Sequence, residues 1–219
     1  MSSPFQASPP CGVEVPLFDR FLPGRDPESR EWTKSEPRVI FDHPYIRVEE
    51  ITYGTPCRET PAHWVVARRH SAVTVAPRLA DGRMLLVRQE RYPVERTPWE
   101  FPAGLIDNHA NREDAGVIAS AALREMREET GHMLAPEGQL KPLGFVFTSP
   151  GFSDEHVYLF LADGVIPHPG GALPDGDENI LECRAFHGDE IRAEIAANRI
   201  CDAHTLALYA RLCALGWIG

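Results

Sequence analysis

With 219 residues, 43% of them apolar and 25% charged, the chain is long enough for one domain of moderate size, or one domain with an appendage. Its formal charge of −10 excludes a general binder of nucleic acid or anionic membrane, which needs a basic stripe. No run approaches the roughly 18 apolar residues of a membrane span.

Residues 1–35 are rich in proline, serine and charge, as in Ser8-Pro9-Pro10 and Pro23-Gly24-Arg25-Asp26-Pro27. They read as an extended arm, although Val13, Val15, Leu17, Phe18 and Phe21 give part of it something to dock with. Residues 36–70 are strand-like. Arg38–Phe41, Ile46–Tyr53 and His63–Ala67 are β-branched and aromatic, broken by Gly54, Pro56 and Pro61, which predicts a small antiparallel sheet. Ala72–Pro77 and Met84–Gln89 flank Asp81-Gly82 as a hairpin-like unit. After a central helix, strands are expected at Leu143–Phe147, His156–Leu161 and Asn179–Phe186, with a Gly/Pro-rich loop at 167–177. Two helices follow, about 189–198 and 203–215, the second with Asp202 as its N-cap. No internal repeat is present. The order of elements predicts an α+β sandwich with a mixed sheet between helices.

Five scattered cysteines (Cys11, Cys57, Cys183, Cys201, Cys213) form no CxxC and read as reduced thiols of a cytoplasmic protein. No basic-then-apolar leader is visible. The nine histidines offer no His-Glu-x-x-His for zinc. Walker, Gly-x-Gly-x-x-Gly and Gly-x-Ser-x-Gly motifs are absent too.

The chemistry concentrates in Arg124-Glu125-Met126-Arg127-Glu128-Glu129-Thr130-Gly131. At 3.6 residues per turn, Glu125 and Glu129 lie one turn apart with Glu128 beside them, an arc of about 100°. Arg124 stands one turn before Glu128, placed to pair with it. Ala119, Leu123, Met126 and Thr130 lie on the opposite side as the expected core face, and Gly131 is a left-handed stop. Three clustered carboxylates repel one another unless a hard cation neutralises them. Mg²⁺ is the first candidate, with Mn²⁺ as a substitute.

Upstream stands Trp99-Glu100-Phe101-Pro102-Ala103-Gly104-Leu105-Ile106-Asp107, downstream Ser149-Pro150-Gly151-Phe152-Ser153-Asp154-Glu155. With these flanks the chain resembles the Nudix hydrolases, whose signature reads G-x5-E-x7-R-E-U-x-E-E-x-G-U, and within them the ADP-ribose pyrophosphatase branch. The resemblance implies a Nudix-type α/β/α sandwich over residues 71–219. It implies Mg²⁺-dependent hydrolysis of ADP-ribose to AMP and ribose 5-phosphate, in a homodimer paired through the sheet of residues 36–70. It makes Glu125, Glu129 and the carbonyl of Ala103 metal ligands, and Glu128 a further ligand or a group oriented by Arg124. Glu155 becomes the residue that aligns or deprotonates the attacking water from a mobile loop, with Asp154 as the neighbouring alternative. Arg91 matches the branch's Gln-x-Arg arginine and would grip the diphosphate; Arg88 is the adjacent basic candidate. Tyr45, Trp64 and Trp99 are the aromatics available to an adenine, with none assigned.

The pattern departs from the family at one place. Nineteen residues separate Gly104 from Arg124 where the signature has thirteen, and the six extra fall within 108–116. Counting from either end puts Ala110 or Gly116 where the first signature glutamate belongs, leaving Glu113 or Asp114 as substitutes. His132 occupies the final apolar position. Two other readings follow: a pyrophosphatase for another nucleoside-diphosphate sugar such as GDP-mannose, and a Nudix-fold sensor that binds ADP-ribose without turnover.

Overall fold

The structure, a computed structural model, describes residues 10–11, 18–22, 24, 31–106, 114–173 and 179–218. Val13, Val15, Leu17, Ala110 and Glu113, all named above, lie outside the described residues, as does most of the six-residue excess. Two sheets are formed. The first is antiparallel and centred on β3 (Ile46–Gly54), which pairs with β4 (Ala62–Arg68), β2 (Arg38–His43) and the short β1 (Thr33–Lys34). Its three longer strands are those expected from the β-branched runs.

The second sheet has seven strands, numbered on in chain order: β5 (Ala72–Leu79), β6 (Met84–Gln89), β7 (Trp99–Glu100), β8 (Ala103–Leu105), β9 (His132–Phe147), β10 (His156–Pro167) and β11 (Ile180–Phe186). The path runs β11-β6-β5-β10-β9, with β7 on β6 and β8 on β5. β5 and β10 run parallel while the other pairs are antiparallel, so the sheet is mixed. Helix α1 (Ala115–Thr130) covers one face; α2 (Gly188–Ala196) and α3 (Ala203–Ala214) cover the other.

Period-two alternation explains this sandwich. Along β10, Val157, Leu159 and Leu161 join Leu208 and Leu212 of α3 in one core, while Tyr158, Phe160 and Ala162 join Ile118 and Met126 of α1 in the other. Along β5, Ala72 and Ala76 face the first core and Val73 and Val75 the second. Strands buried on both faces read as continuous apolar runs, and each Leu, Ile or Phe so buried contributes about 1.5–3 kcal/mol.

Two expectations change in detail. β9 starts at His132, directly after α1, because its first half pairs with the far half of β10, as in Leu134 with Val165 and Met133 with Ile166. The core face of α1 is Ile118, Ala121, Ala122 and Met126, with Thr130 buried as well, and the same arc carries buried Glu125 and Glu129. The carboxylates thus extend the apolar stripe and do not oppose it. Gly131 is left-handed at φ 68° and ends the helix as expected, and Asp202 caps α3 by accepting from Thr205 N–H at 2.8 Å. Among the described residues no helix is long and apolar enough to cross a membrane.

Thr205 also ties α3 to the run leading into the signature region. Its fully buried Oγ1 accepts a 2.9 Å hydrogen bond from the N–H of Phe101. Thr205→Val keeps the shape but strands that donor, at a cost of about 1–3 kcal/mol. Thermal denaturation should show a lowered Tm; an unchanged Tm would mean the bond contributes nothing.

Candidate active site

Residues Phe101 to Leu105 turn β7 into β8 and press the elbow Pro102-Ala103-Gly104 onto α1. A Cβ on Gly104 would lie 2.1 Å from Cδ of Glu125 and 2.4 Å or less from both its oxygens, so only glycine permits this approach. The N–H of Ala103 points at Glu129 Oε1 at 3.4 Å. Glu125 and Glu129 are 4% and 2% exposed. Carboxylates this deep are stable as anions only when positive charge or donors reach them.

Arg124 supplies such charge. One guanidinium nitrogen is 2.7 Å from Glu125 Oε1 and donates to the carbonyl of Leu105 at 3.0 Å; the other bonds Glu128 Oε2 at 3.0 Å. The expected Arg124–Glu128 pair is present, and Arg124 also staples α1 to β8. Among the described residues no three His, Cys, Asp or Glu side chains converge as a ready-made metal cage. By donor type, carboxylates with main-chain oxygens fit a hard divalent cation, and the elbow brings the Ala103–Gly104 backbone against them. Asp114 is not available as the missing first glutamate, since its carboxylate caps α1 by accepting from Gly116 and Val117 N–H at 2.8 and 3.1 Å.

Arg91 leaves β6 and folds back on β7. Its Nε lies 3.1 and 3.0 Å from the two oxygens of Glu100, with Nη2 on Oε2 as well. Burial works against the Arg91 charge, but Glu100 outweighs it and holds the guanidinium protonated; Asp202 and Glu129 add to the effect. Arg91 is therefore within electrostatic reach of the α1 carboxylates, with its Nε edge already committed to Glu100. Arg88 is exposed and bonded to Thr97 through Nε and Nη2. The sequence reading missed Glu100, although an acid in the apolar run Trp-Glu-Phe-Pro was a signal.

Glu155 precedes β10. Its Oε2 accepts from Thr148 Oγ1 at 2.7 Å and its Oε1 pairs with Arg69 at 3.2 Å. The expected mobile loop is well fastened. Residues 151–155 lie along β4, with Trp64 Nε1 donating to Gly151 O at 2.6 Å and Ala67 N–H to Phe152 O at 2.8 Å. Ser153 Oγ donates to Ala67 O at 2.8 Å, and Arg68 links Asp154 at 2.8 Å to Glu49 at 3.1 Å. Asp154 is thus an anchor of the loop. Beside it, Tyr45, Arg47, Arg68, Arg69 and His70 line an open cavity of about 500 Å³. Trp64 is used by Gly151, and Trp99 packs on Phe186 at 5.0 Å; of the three aromatics only Tyr45 lines this cavity.

Carboxylates of α1 thus meet a glycine elbow of β8. Residues 68–208 match the NUDIX domain family, and the chain belongs to it: it is a Nudix hydrolase, of a class that generally uses divalent cations. The chain is 34% identical over 178 residues to the methanol dehydrogenase activator of Bacillus methanolicus, covering 76% of this chain and 90% of that protein. It is 37% identical over 98 residues to the ADP-ribose pyrophosphatase of Bacillus subtilis (strain 168), covering 45% of this chain and 48% of that one. The match to the ADP-ribose pyrophosphatase thus spans about half of that relative. A crystal structure of an ADP compounds hydrolase shares the fold with a TM-score of 0.68 at 17% identity, over 86% of this chain and 97% of that one.

Gly104→Ala should displace the Glu125 carboxylate while leaving the fold intact. A shift near 1 Å in a positioned group costs about 100-fold. Turnover and Mn²⁺ binding should both fall, with an unchanged circular dichroism spectrum; wild-type values for both would remove the elbow from the site.

Proposed function

We propose that this chain hydrolyses the diphosphate bond of ADP-ribose with Mg²⁺, giving AMP and ribose 5-phosphate. The observation that carries the reading is the packing of buried Glu125 and Glu129 on the Ala103–Gly104 elbow, with protonated Arg91 in reach of Glu129. Glu125, Glu129 and the Ala103 carbonyl would hold the cation, with Glu128 as a further ligand or a group set by Arg124. When bound, the cation neutralises the phosphates and makes water more acidic.

The remaining work belongs to side chains. Arg91, braced by Glu100, presents the free end of its guanidinium to the diphosphate. Glu155 leaves Thr148 and Arg69 to align or deprotonate the attacking water, and Arg69 then faces the substrate's negative charge. The cavity beside Tyr45 has room for the nucleoside. The relatives named for ADP-ribose support this substrate over another nucleoside-diphosphate sugar such as GDP-mannose. A binding-only sensor is the second reading, favoured by one observation: Asp114 is spent as a helix cap.

The first sheet suits a homodimer. Val39, Ile40, Phe41, Trp64 and Val65 are each 41–52% exposed on it, more apolar surface than a lone sheet leaves in water. Unpaired cysteines at all five positions suit the cytoplasm. Sedimentation should give twice the chain's 24.4 kDa, and Phe41→Asp with Val65→Asp should halve it; a wild-type monomer would dismiss the dimer.

Product analysis with ADP-ribose, with and without Mg²⁺, tests the reaction. AMP and ribose 5-phosphate should appear only with metal. Glu129→Gln should lower kcat by more than about 100-fold, since losing even a partner of a ligand costs 10–100-fold. Glu155→Gln should lower it by about 10²–10⁴ with Mg²⁺ affinity unchanged. Tight ADP-ribose binding without products would establish the sensor.

A further inference from the structure

The N-terminal segment Phe18–Leu22 reaches the base of the acid loop. The Phe21 ring stands edge-on to Phe147 at 4.8 Å and to His156 at 5.0 Å, and 5.8 Å from Phe145. Phe147 is the last residue of β9 and His156 the first of β10. One ring therefore touches both feet of the turn 148–155. Phe18 stacks on Tyr158 at 6.4 Å, with the planes 14° apart, and so fixes the approach of the segment.

His156 carries this contact into the loop. It is 7% exposed, and burial pushes its imidazole below the ordinary value, which keeps it neutral. Its Nδ1–H donates to the carbonyl of Asp154 at 3.1 Å, while Nε2 faces Ser71 Oγ at 3.1 Å and Tyr158 OH at 3.3 Å. The residue spanned by that ring-to-carbonyl bond is Glu155. Orienting the imidazole orients the backbone from which the Glu155 carboxylate departs. At the other foot, Thr148 N–H donates to the carbonyl of Glu155 at 3.2 Å, so a displaced Phe147 would be felt there too.

We propose that Phe21 is a positioning residue for Glu155: its ring clamps the two feet of the loop, making the N-terminal arm part of the apparatus that presents the acid. This rests on the reading of Glu155 as the group that aligns the water. Nothing in the proline-rich composition of the arm marks such a role; it appears only when β9 and β10 bring Phe147 and His156 together.

Two measurements on the full chain test it. In Phe21→Ala, amide hydrogen exchange at 148–156 should accelerate by about tenfold or more, as local opening becomes easier, while α1 exchanges as in wild type. Unchanged loop exchange would overturn the clamp, and equal acceleration in α1 would show a general loss of structure. The second is kinetic, with ADP-ribose and Mg²⁺ and the variants Phe21→Ala, Glu155→Gln and both together. Phe21→Ala should lower kcat about tenfold or more with KM within about twofold, Phe21→Tyr should restore it, and Phe21→Ala should add nothing in the Glu155→Gln background. The same loss in both backgrounds would make Phe21 merely structural. Full turnover by Glu155→Gln would instead defeat the role given to Glu155, with loop exchange still deciding the clamp.

Discussion

Everything at the site depends on how closely a strand can approach a helix. Gly104 leaves out one methyl group, and the Glu125 carboxylate occupies that space. The approach lets backbone from β8 meet two acids that the core face of α1 would otherwise bury at prohibitive cost. Arg124 reinforces the contact by holding Leu105 from the helix side. The same few atoms thus join the two layers of the sandwich and set the charge of the site.

The electrostatic problem posed by an acidic chain is solved locally. Net charge is −10, yet Arg91, Arg124, Arg68 and Arg69 each sit against a named acid around the α1 carboxylates and the acid loop. Paired arginines keep the basic groups in fixed directions, whereas isolated ones would wander through many rotamers. The donors are thereby held oriented, and fields from distant acids are screened within about 10 Å at ordinary salt.

The strands of the sandwich were legible because alternation sorts β5 and β10 into two cores, and every residue on those strands is constrained by its parity. The first half of β9 was hidden: Pro136 and Gly138 break its local signal, and the strand exists because the far half of β10 is there to pair with. The carboxylates of α1 were legible as a period, but their side of the helix was misjudged. Leu123, Met126 and Thr130 do pack inward, but Glu125 and Glu129 share the arc of Ile118 and Ala122 instead of lying opposite the core. Periodicity reports relative angles and does not say which arc faces the sheet. Pairings across strands, such as Arg91 with Glu100 and Arg69 with Glu155, had no local signature, since partners nine and 86 residues apart meet only after the sheets form.

The zipper between β4 and residues 151–153 has a further effect. Ala67 gives both its N–H and its carbonyl to the loop, and its bridge with Ser153 is parallel. The loop thereby behaves as a rudimentary extra strand over what would otherwise be an exposed margin of the smaller sheet. Open margins template pairing with foreign chains. The segment that carries Glu155 thus also serves as a guard against aggregation, and substitutions that loosen it would compromise solubility.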